Sequence, residues 1–270
     1  MVIANYFGCY QDFAPENRKR MRWAGAIDLM LKACGEGGPH YWDGGAQFRV
    51  WCGFSSFHSE DNHMEFRRLG GLRHLYATFR DHPRSYRVRE EILQATKGLC
   101  AHRAFRDELE SMGFVPLLTS ALREAERDPQ VQTLALETLR MFVDQNASLR
   151  SKVVADGGIN IALKALSIHA ATLVNTRDVQ WDSQNVYGSL NDIQYNVPGA
   201  ATELLYSLAL DGPETRKEMF KARVVSQLVS AIEATRQRIW AVKTRTRGGA
   251  CATMQLLHPE VDGQSQRAES

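Results

Sequence analysis

The apolar and polar residues of the chain follow two periodic patterns. In the first pattern, a small residue precedes apolar residues at helical spacing, and this arrangement occurs in five segments. The segments are centred on Gly25, Gly71, Gly113, Gly158 and Arg223, and the steps between these anchors are 46, 42, 45 and 65 residues. Three of the four steps match the roughly 40–47 residues expected of stacked two- or three-helix repeats.

A second pattern runs in register with the first and predicts a longer helix in each repeat. Residues at i, i+4 and i+7 form a stripe on one helix face, which a neighbouring repeat must cover. The stripes are Gln47, Trp51 and Phe54; Ile92, Thr96 and Leu99; Ala135, Leu139 and Phe142; Ala201, Leu205 and Leu208; and Ala250, Met254 and Leu257. The two patterns together predict an all-α protein.

These motifs resemble those of the armadillo repeat family. Residues 112–118 read as the small–Gly–hydrophobic start and Leu-Leu pair of its second helix, and the stripe that begins at Ala135 resembles its third helix. The resemblance covers about residues 18–258. It implies a right-handed α-solenoid of about four to five repeats. Residues 1–17 would then be an N-terminal extension and residues 259–270 a polar C-terminal tail.

The glycines have a physical role in such a fold. A short helix must turn sharply into the next one, and glycine adopts the left-handed backbone conformation at that corner without a Cβ clash. The last repeat departs from the pattern because Arg223 stands at this position.

Two loops interrupt the repeats and carry aromatic residues. The 65-residue step contains an insertion at about residues 167–197, and the first repeat has a shorter counterpart near residue 40. Exposed aromatic residues on loops are common anchors of protein interfaces. We predict a partner-binding role for these loops, with the alternative that the rings cap their own solenoid. The loop residues concerned are Tyr41, Trp42, Trp181, Tyr187 and Tyr195.

The resemblance also places the third helices along a concave groove. Importin-like members of the family present a ladder of Trp and Asn there, and this chain has none at the matching positions, so capture of a nuclear localisation signal is not expected. A mixed groove formed by Arg49, Gln94, Glu137 and Glu203 could grip an extended peptide. The alternative is a solvated groove that binds nothing.

The region 215–247 is basic. It contains nine Lys and Arg residues against two acids, and this excess suits phosphate, an acidic peptide or an anionic membrane surface. The alternative is an ordinary solvated helix face. The patch residues are Arg216, Lys217, Arg236, Arg238, Lys243, Arg245 and Arg247.

Catalytic and metal-binding motifs are not found in the sequence. The nucleotide-binding, hydrolase and metalloprotease signatures are missing, so we predict no enzyme and no cofactor. Several Cys and His residues cluster before residue 64, but structural zinc sites usually bring their ligands in closely spaced pairs. Only His58 and His63 are so spaced, and we predict no metal site.

Composition narrows the class of protein further. The 270 residues include 33 Lys and Arg, 31 Asp and Glu, and 44% apolar residues, which argues against a disordered chain. No apolar run approaches the length of a membrane-spanning helix. The five cysteines are odd in number and widely spaced, as in a reducing compartment. We expect a cytosolic or cytoskeleton-associated protein, and organellar import stays open.

Together these features predict a non-catalytic scaffold or adaptor for other proteins, as a structural subunit of a larger assembly. The alternative is a module that binds nucleic acid or an anionic surface through the basic region 215–247.

Overall fold

The computed structural model describes residues 19–20, 22–35, 37–55, 59–144, 146–172, 196–235 and 240–257. Every regular element in these ranges is an α-helix, which confirms the all-α prediction. None of the described helices is long and apolar enough to cross a membrane. The predicted extension 1–17, the tail 259–270 and most of the insertion 167–197 lie outside the described residues.

The chain divides into two compact units, Met1–Ala121 (unit 1) and Leu122–Ser270 (unit 2). The described helices up to the boundary are α1 (Ala26–Cys34), α2 (Gly44–Ser55), α3 (Glu60–Arg68), α4 (Gly71–Asp81), α5 (Tyr86–Leu99), α6 (Arg103–Ser111) and α7 (Phe114–Glu124), within which the boundary falls. Those of unit 2 are α8 (Pro129–Val143), α9 (Ala147–Ala155), α10 (Gly158–Thr172), α11 (Val197–Ala209), α12 (Pro213–Lys221), α13 (Val224–Ala234) and α14 (Trp240–Leu257).

Helix lengths recur along the chain. The helices α3, α6, α9 and α12 have nine residues each. The helices that follow them directly, α4, α7, α10 and α13, have 11, 11, 15 and 11 residues. The next ones, α5, α8, α11 and α14, have 14, 15, 13 and 18 residues. A short helix is therefore followed by two longer ones four times in succession.

A left-handed residue directly precedes the second helix of each of these four sets, and another precedes α1. The φ angle is +76° at Gly25, +75° at Gly70, +84° at Gly113, +86° at Gly157 and +56° at Arg223. The spacing of these residues is 45, 43, 44 and 66. Arg223 adopts the same corner conformation as the glycines, at the cost of Cβ crowding that glycine avoids.

Two of the sequence anchors lie one residue away from the true corner. The left-handed residues are Gly70 and Gly157, whereas Gly71 and Gly158 are the first residues of their helices. A Cβ atom at Gly71 would lie 2.4 Å from the ring of Phe66. The first glycine of the Gly-Gly pair thus provides the backbone turn, and the second provides space for the preceding helix.

The predicted stripes are buried wherever their side chains are described, except for Met254, which is half-buried. Ile92, Thr96 and Leu99 on α5 are fully buried, as are the stripe residues of α11. In unit 1, α2 packs against α5. In unit 2, α11 packs against both α8 and α14, and α10 packs against α11 and α13. The long helices thus cover one another's apolar stripes within each unit.

Candidate interaction surfaces

A buried glutamine fastens the connection between α1 and α2 in unit 1. Gln47 donates from Nε2 to the carbonyl oxygens of Cys34 at 2.5 Å and Tyr41 at 3.0 Å. Its Oε1 accepts a hydrogen bond from Nε1 of Trp51 at 3.0 Å. Because a buried amide is costly without partners, these three bonds hold the irregular loop in one position against α2.

A histidine after α4 holds the same loop from a second side. Nε2 of His82 lies 2.9 Å from the carbonyl oxygen of Tyr41 and donates to it, since a carbonyl can only accept. The Tyr41 hydroxyl donates to Oδ2 of Asp81 at 2.6 Å. Hydrogen bonds from Arg80 and from Tyr41 lower the pKa of the Asp81 carboxyl from 3.8 to about 2.

The two aromatic residues of this loop differ in exposure. Tyr41 is 3% exposed, whereas Trp42 is 74% exposed. The rings of Tyr41 and Trp42 meet edge to face with their centroids 4.9 Å apart, and the His82 ring lies 5.9 Å from Trp42. For Tyr41 the sequence left two roles open, as a partner anchor or as a ring that packs on its own chain. In the structure Tyr41 is buried against Asp81 and His82 of unit 1, which agrees with the second. Trp42 packs one part of its ring against Tyr41 and His82 and exposes the rest to solvent.

The same two fastenings recur in unit 2, in the connection between α7 and α8. Gln132, which is buried, donates from Nε2 to the carbonyl oxygens of Leu122 at 2.7 Å and Ala125 at 3.0 Å. Nε2 of His169 lies 2.9 Å from the carbonyl oxygen of Glu126. Burial lowers the pKa of His169 below 6.5, so its ring is neutral and donates to that carbonyl at neutral pH.

These paired residues occupy matching places in the sequence. Gln47 and Gln132 are each the fourth residue of their helix. His82 and His169 each come twelve residues after a left-handed glycine. Sequence reasoning did not single out either histidine, although their equal distance from the Gly-Gly pairs was a readable signal.

A cleft of about 380 Å³ lies beside the unit 2 corner. Its apolar lining comes from Leu122, Ile161, Ala165 and Ile168. Two cations also line it, and both have partners. Arg123 donates to the carbonyl oxygen of Asp156 at 2.9 Å, and Lys164 pairs with Glu126. These cations therefore connect parts of unit 2 to one another.

A network of charges lies where α8, α11 and α14 meet in unit 2. Arg245 on α14 makes an ion pair of 2.6 Å with Glu137 on α8. It also grips both carboxylate oxygens of Glu203 on α11, at 2.7 and 2.8 Å. Hydrogen bonding to Glu203 and the charge of Glu137 raise the pKa of Arg245 above its usual range. The three side chains thus form a bidentate ion-pair cluster between neighbouring helices.

The network continues along α8. Nε of Arg140 lies 3.5 Å from Glu203, and its Nη1 lies 3.0 Å from Oδ2 of Asp144. Asp144 also accepts a hydrogen bond from the hydroxyl of Ser207. Sequence reasoning missed Arg140, Asp144 and Ser207. Arg140 and Asp144 are one helical turn apart, but only the packing of α8 against α11 brings them to Glu203 and Ser207.

This network bears on two expectations from the sequence. Glu137 and Glu203 were candidates for a groove that could grip a peptide or stay idle, and Arg245 was a candidate for the basic patch. In the structure these side chains bind one another. Their charges are therefore largely compensated within unit 2.

Other predicted patch and groove residues have varied environments. Lys217 pairs with Glu214 at 2.7 Å. Arg216 is half-buried, with Nη1 3.5 Å from the carbonyl oxygen of Ala209, while Arg247 is exposed. Gln94 on α5 is half-buried. Several predicted site residues or their side chains lie outside the described residues, namely Arg49, Trp181, Tyr187, Tyr195, Arg236, Arg238 and Lys243.

Within the described ranges, no group of three or more His, Cys, Asp or Glu residues is arranged to hold a metal ion. Cys34 and Cys100 are buried, and Cys251 is exposed. Burial raises the pKa of the Cys100 thiol to about 12, so this thiol is protonated at neutral pH. His58 and the side chain of Cys52, which belong to the Cys and His cluster of the sequence, lie outside the described part.

Comparison with known proteins gives a fold and no family. No protein family model matches the chain. No curated protein matches it either. Among solved structures, the chain is similar to the crystal structure of an engineered protein from the Northeast Structural Genomics Consortium, with a TM-score of 0.65 and 16% sequence identity. The match covers 94% of this chain and 88% of that one, and at this identity it shows a shared fold alone.

Proposed function

We propose that the chain is a non-catalytic scaffold or adaptor that holds other proteins together, as a structural subunit of a larger assembly. We further propose that it is a right-handed, armadillo-like solenoid of about four to five repeats. The observation that carries the proposal is the recurrence of left-handed corners 45, 43 and 44 residues apart, each of which opens a helix. Repeats of nearly equal length provide extended binding area at fixed spacing.

The surface chemistry supports a protein partner. Trp42 is 74% exposed and its ring rests on two other rings. Tryptophan is among the residues that contribute most to protein interfaces, and a ring that is already supported loses little freedom on binding. The network around Arg245 has a different use. It compensates charges between helices and favours a rigid platform over an open peptide groove.

The alternative function is binding of nucleic acid or an anionic surface through the basic region 215–247. Pairing of Arg245 with two carboxylates and of Lys217 with Glu214 reduces the free charge of this region. Among the cations of this region whose side chains the structure describes, Lys221, Arg223 and Arg247 are exposed and support this alternative. Binding through them would weaken steeply with salt.

The test is affinity purification of the tagged full chain from its native cells, with one wash at low salt and one at high salt. We expect a defined set of stoichiometric proteins to survive high salt, both with the wild type and with the variant Lys221→Glu/Arg247→Glu. Recovery of RNA alone, or loss of every partner at high salt and in this variant, would favour the alternative. A monomer with no stable partner under either wash would contradict the scaffold proposal.

A further inference from the structure

The strongest unassigned surface of unit 1 surrounds Trp42. The Trp42 ring is exposed, but the residues that support it are fixed by hydrogen bonds. The Tyr41 hydroxyl is bound to Asp81, and His82 is bound to the Tyr41 carbonyl group. The exposed ring is thus supported by rings that are themselves fixed, and such preorganisation lowers the entropic cost of binding.

A second exposed aromatic residue lies at the same end of the neighbouring helix. Tyr86, the first residue of α5, is 47% exposed. A Cβ atom added at Gly44 would lie 3.8 Å from Oγ of Ser85, so the start of α2 lies against the start of α5. Trp42 precedes the first residue of α2 by two positions, and Tyr86 is the first residue of α5. The two exposed rings therefore lie at the same end of the packed helices α2 and α5.

Two exposed arginines lie next to the second of these rings. Arg84 and Arg87 flank Tyr86 and are exposed. Within the described part of the chain, neither arginine takes part in an ion pair. Glu90 and Glu91, one turn after Arg87 on α5, are half-buried. Two acids at the neighbouring helix starts and ends are already used. Asp43 caps the start of α2 by accepting hydrogen bonds from the backbone N–H groups of Gly45 and Ala46, and Asp81 is paired with Arg80.

We propose that this surface, formed by Trp42, Tyr86, Arg84 and Arg87, binds an acidic segment of a partner protein that carries an aromatic or leucine side chain. The inference rests on the proposed scaffold function and names the chemistry of one partner. The apolar side chain packs on Trp42, and carboxylates of the segment pair with the two guanidinium groups. Charge complementarity selects this occupant over a basic one.

The first experiment selects ligands without assuming a partner. A library of short random peptides displayed on phage is panned on the wild-type full chain after depletion on the Trp42→Ala variant. We expect the enriched peptides to have a net negative charge and at least one aromatic or leucine residue. Enrichment of basic or uncharged peptides, or no enrichment beyond the depleted pool, would overturn the proposal.

The second experiment measures the affinity of one enriched peptide, labelled with fluorescein, by fluorescence anisotropy. Trp42→Ala and Arg84→Glu/Arg87→Glu should each weaken binding by about tenfold or more. Two matched controls should stay within about twofold of the wild type. These are Trp23→Ala, which removes another exposed tryptophan of unit 1, and Arg127→Glu, which changes an exposed arginine at the unit 2 corner. Equal losses in the controls would contradict a site at Trp42.

Folding and rival ligands are checked with the same variants. Circular dichroism should show unchanged thermal midpoints for Trp42→Ala, because the ring is exposed. Vesicles of phosphatidylserine and phosphatidylcholine, and a single-stranded RNA, are tested as rival anionic ligands. Trp42-dependent binding to either one without binding of the acidic peptide overturns the proposal. If stoichiometric partners survive high salt but are indifferent to Trp42→Ala, this inference fails and the scaffold proposal stands.

Discussion

The corner between α1 and α2 in unit 1 and the corner between α7 and α8 in unit 2 are fastened in the same way. In each, a buried glutamine binds two carbonyl oxygens of the connection. In unit 1, His82, which directly follows α4, donates to the Tyr41 carbonyl that Gln47 also binds. In unit 2, His169 on α10 donates to the carbonyl of Glu126. Their surfaces differ, because the first corner exposes Trp42 and the second is bordered by an apolar cleft. The two corners thus share their hydrogen bonds to backbone carbonyl groups, while the side chains that they expose differ.

The glutamines provide the largest expected effect. Gln47→Met and Gln132→Met keep the volume but remove the amide donor, and each should lower the free energy of unfolding by about 2–4 kcal/mol. The carbonyl groups of Cys34 and Leu122 lose this bond, whereas Tyr41 keeps the bond from His82 and Ala125 keeps the bond from the N–H of Asp128. Gln47→Met should cost more, because the indole N–H of Trp51 also loses its acceptor. Urea unfolding measures both. The control Gln255→Met, at an exposed position of α14, should change stability by less than about 0.5 kcal/mol. If all three variants lower the free energy of unfolding by the same small amount, the two buried glutamines do not stabilise their corners.

The second-largest effect on stability is expected from the charge network of unit 2. Arg245→Met leaves the Glu137 and Glu203 carboxylates without their shared cation and should destabilise the protein by about 1–3 kcal/mol, a value reduced for their partial exposure.

Adding Glu137→Gln and Glu203→Gln to this variant should restore most of the loss, since no unpaired carboxylate then remains. Urea unfolding measures the free energy of unfolding of the single and triple variants, with Arg247→Met as the control at an exposed position. A triple variant less stable than Arg245→Met would show that the network does not act through charge.

The histidine of the unit 2 corner should make stability depend on pH. Burial lowers the pKa of His169 below 6.5, so the unfolded chain takes up this proton more readily than the folded chain. The contribution of the neutral ring is present above pH 6.5 and is lost as the pH falls below that value. His169→Gln should flatten this part of the pH profile of the free energy of unfolding. An unchanged slope between pH 7 and pH 5 would mean that other groups are responsible.

The smallest expected effect concerns the hydrogen bond from Tyr41 to Asp81 in unit 1. Tyr41→Phe removes the hydrogen bond to Asp81 and should cost about 1 kcal/mol at neutral pH. The pKa of Asp81 should rise from about 2 toward 3.8, which NMR titration of the carboxyl carbon can measure. The stability that the lowered pKa provides is present above pH 3.8 and is lost as the pH falls toward 2. A pKa that does not move would mean that Arg80 alone sets it.

Much of the fold could be predicted from the sequence. The stripes on α5 and α11 are buried as predicted, because the 3.6-residue period makes every third or fourth residue share a face. The positions of the corners were predicted to within one residue. The error at Gly71 and Gly158 arose because either glycine of a pair can adopt a positive φ, and the choice depends on which one the preceding helix crowds.

The candidate surfaces were predicted less well. Tyr41 and Trp42 are adjacent loop residues outside any periodic pattern, so the same partner-binding role was predicted for both. Their different exposure is set by Asp81 and His82, about 40 residues away. The basic region was read as one patch, because sequence shows the number of charges and not their partners.

The helices, their buried faces and, to within one residue, the left-handed corners follow from the sequence alone, because each depends on residues within one or two helical turns. Helix packing determines which polar groups stay available. Arg245 meets Glu137 and Glu203 only because α14, α11 and α8 pack side by side. Contacts between residues far apart in the chain depend on helix packing, and this packing compensates the charges of unit 2 and leaves Trp42 of unit 1 exposed.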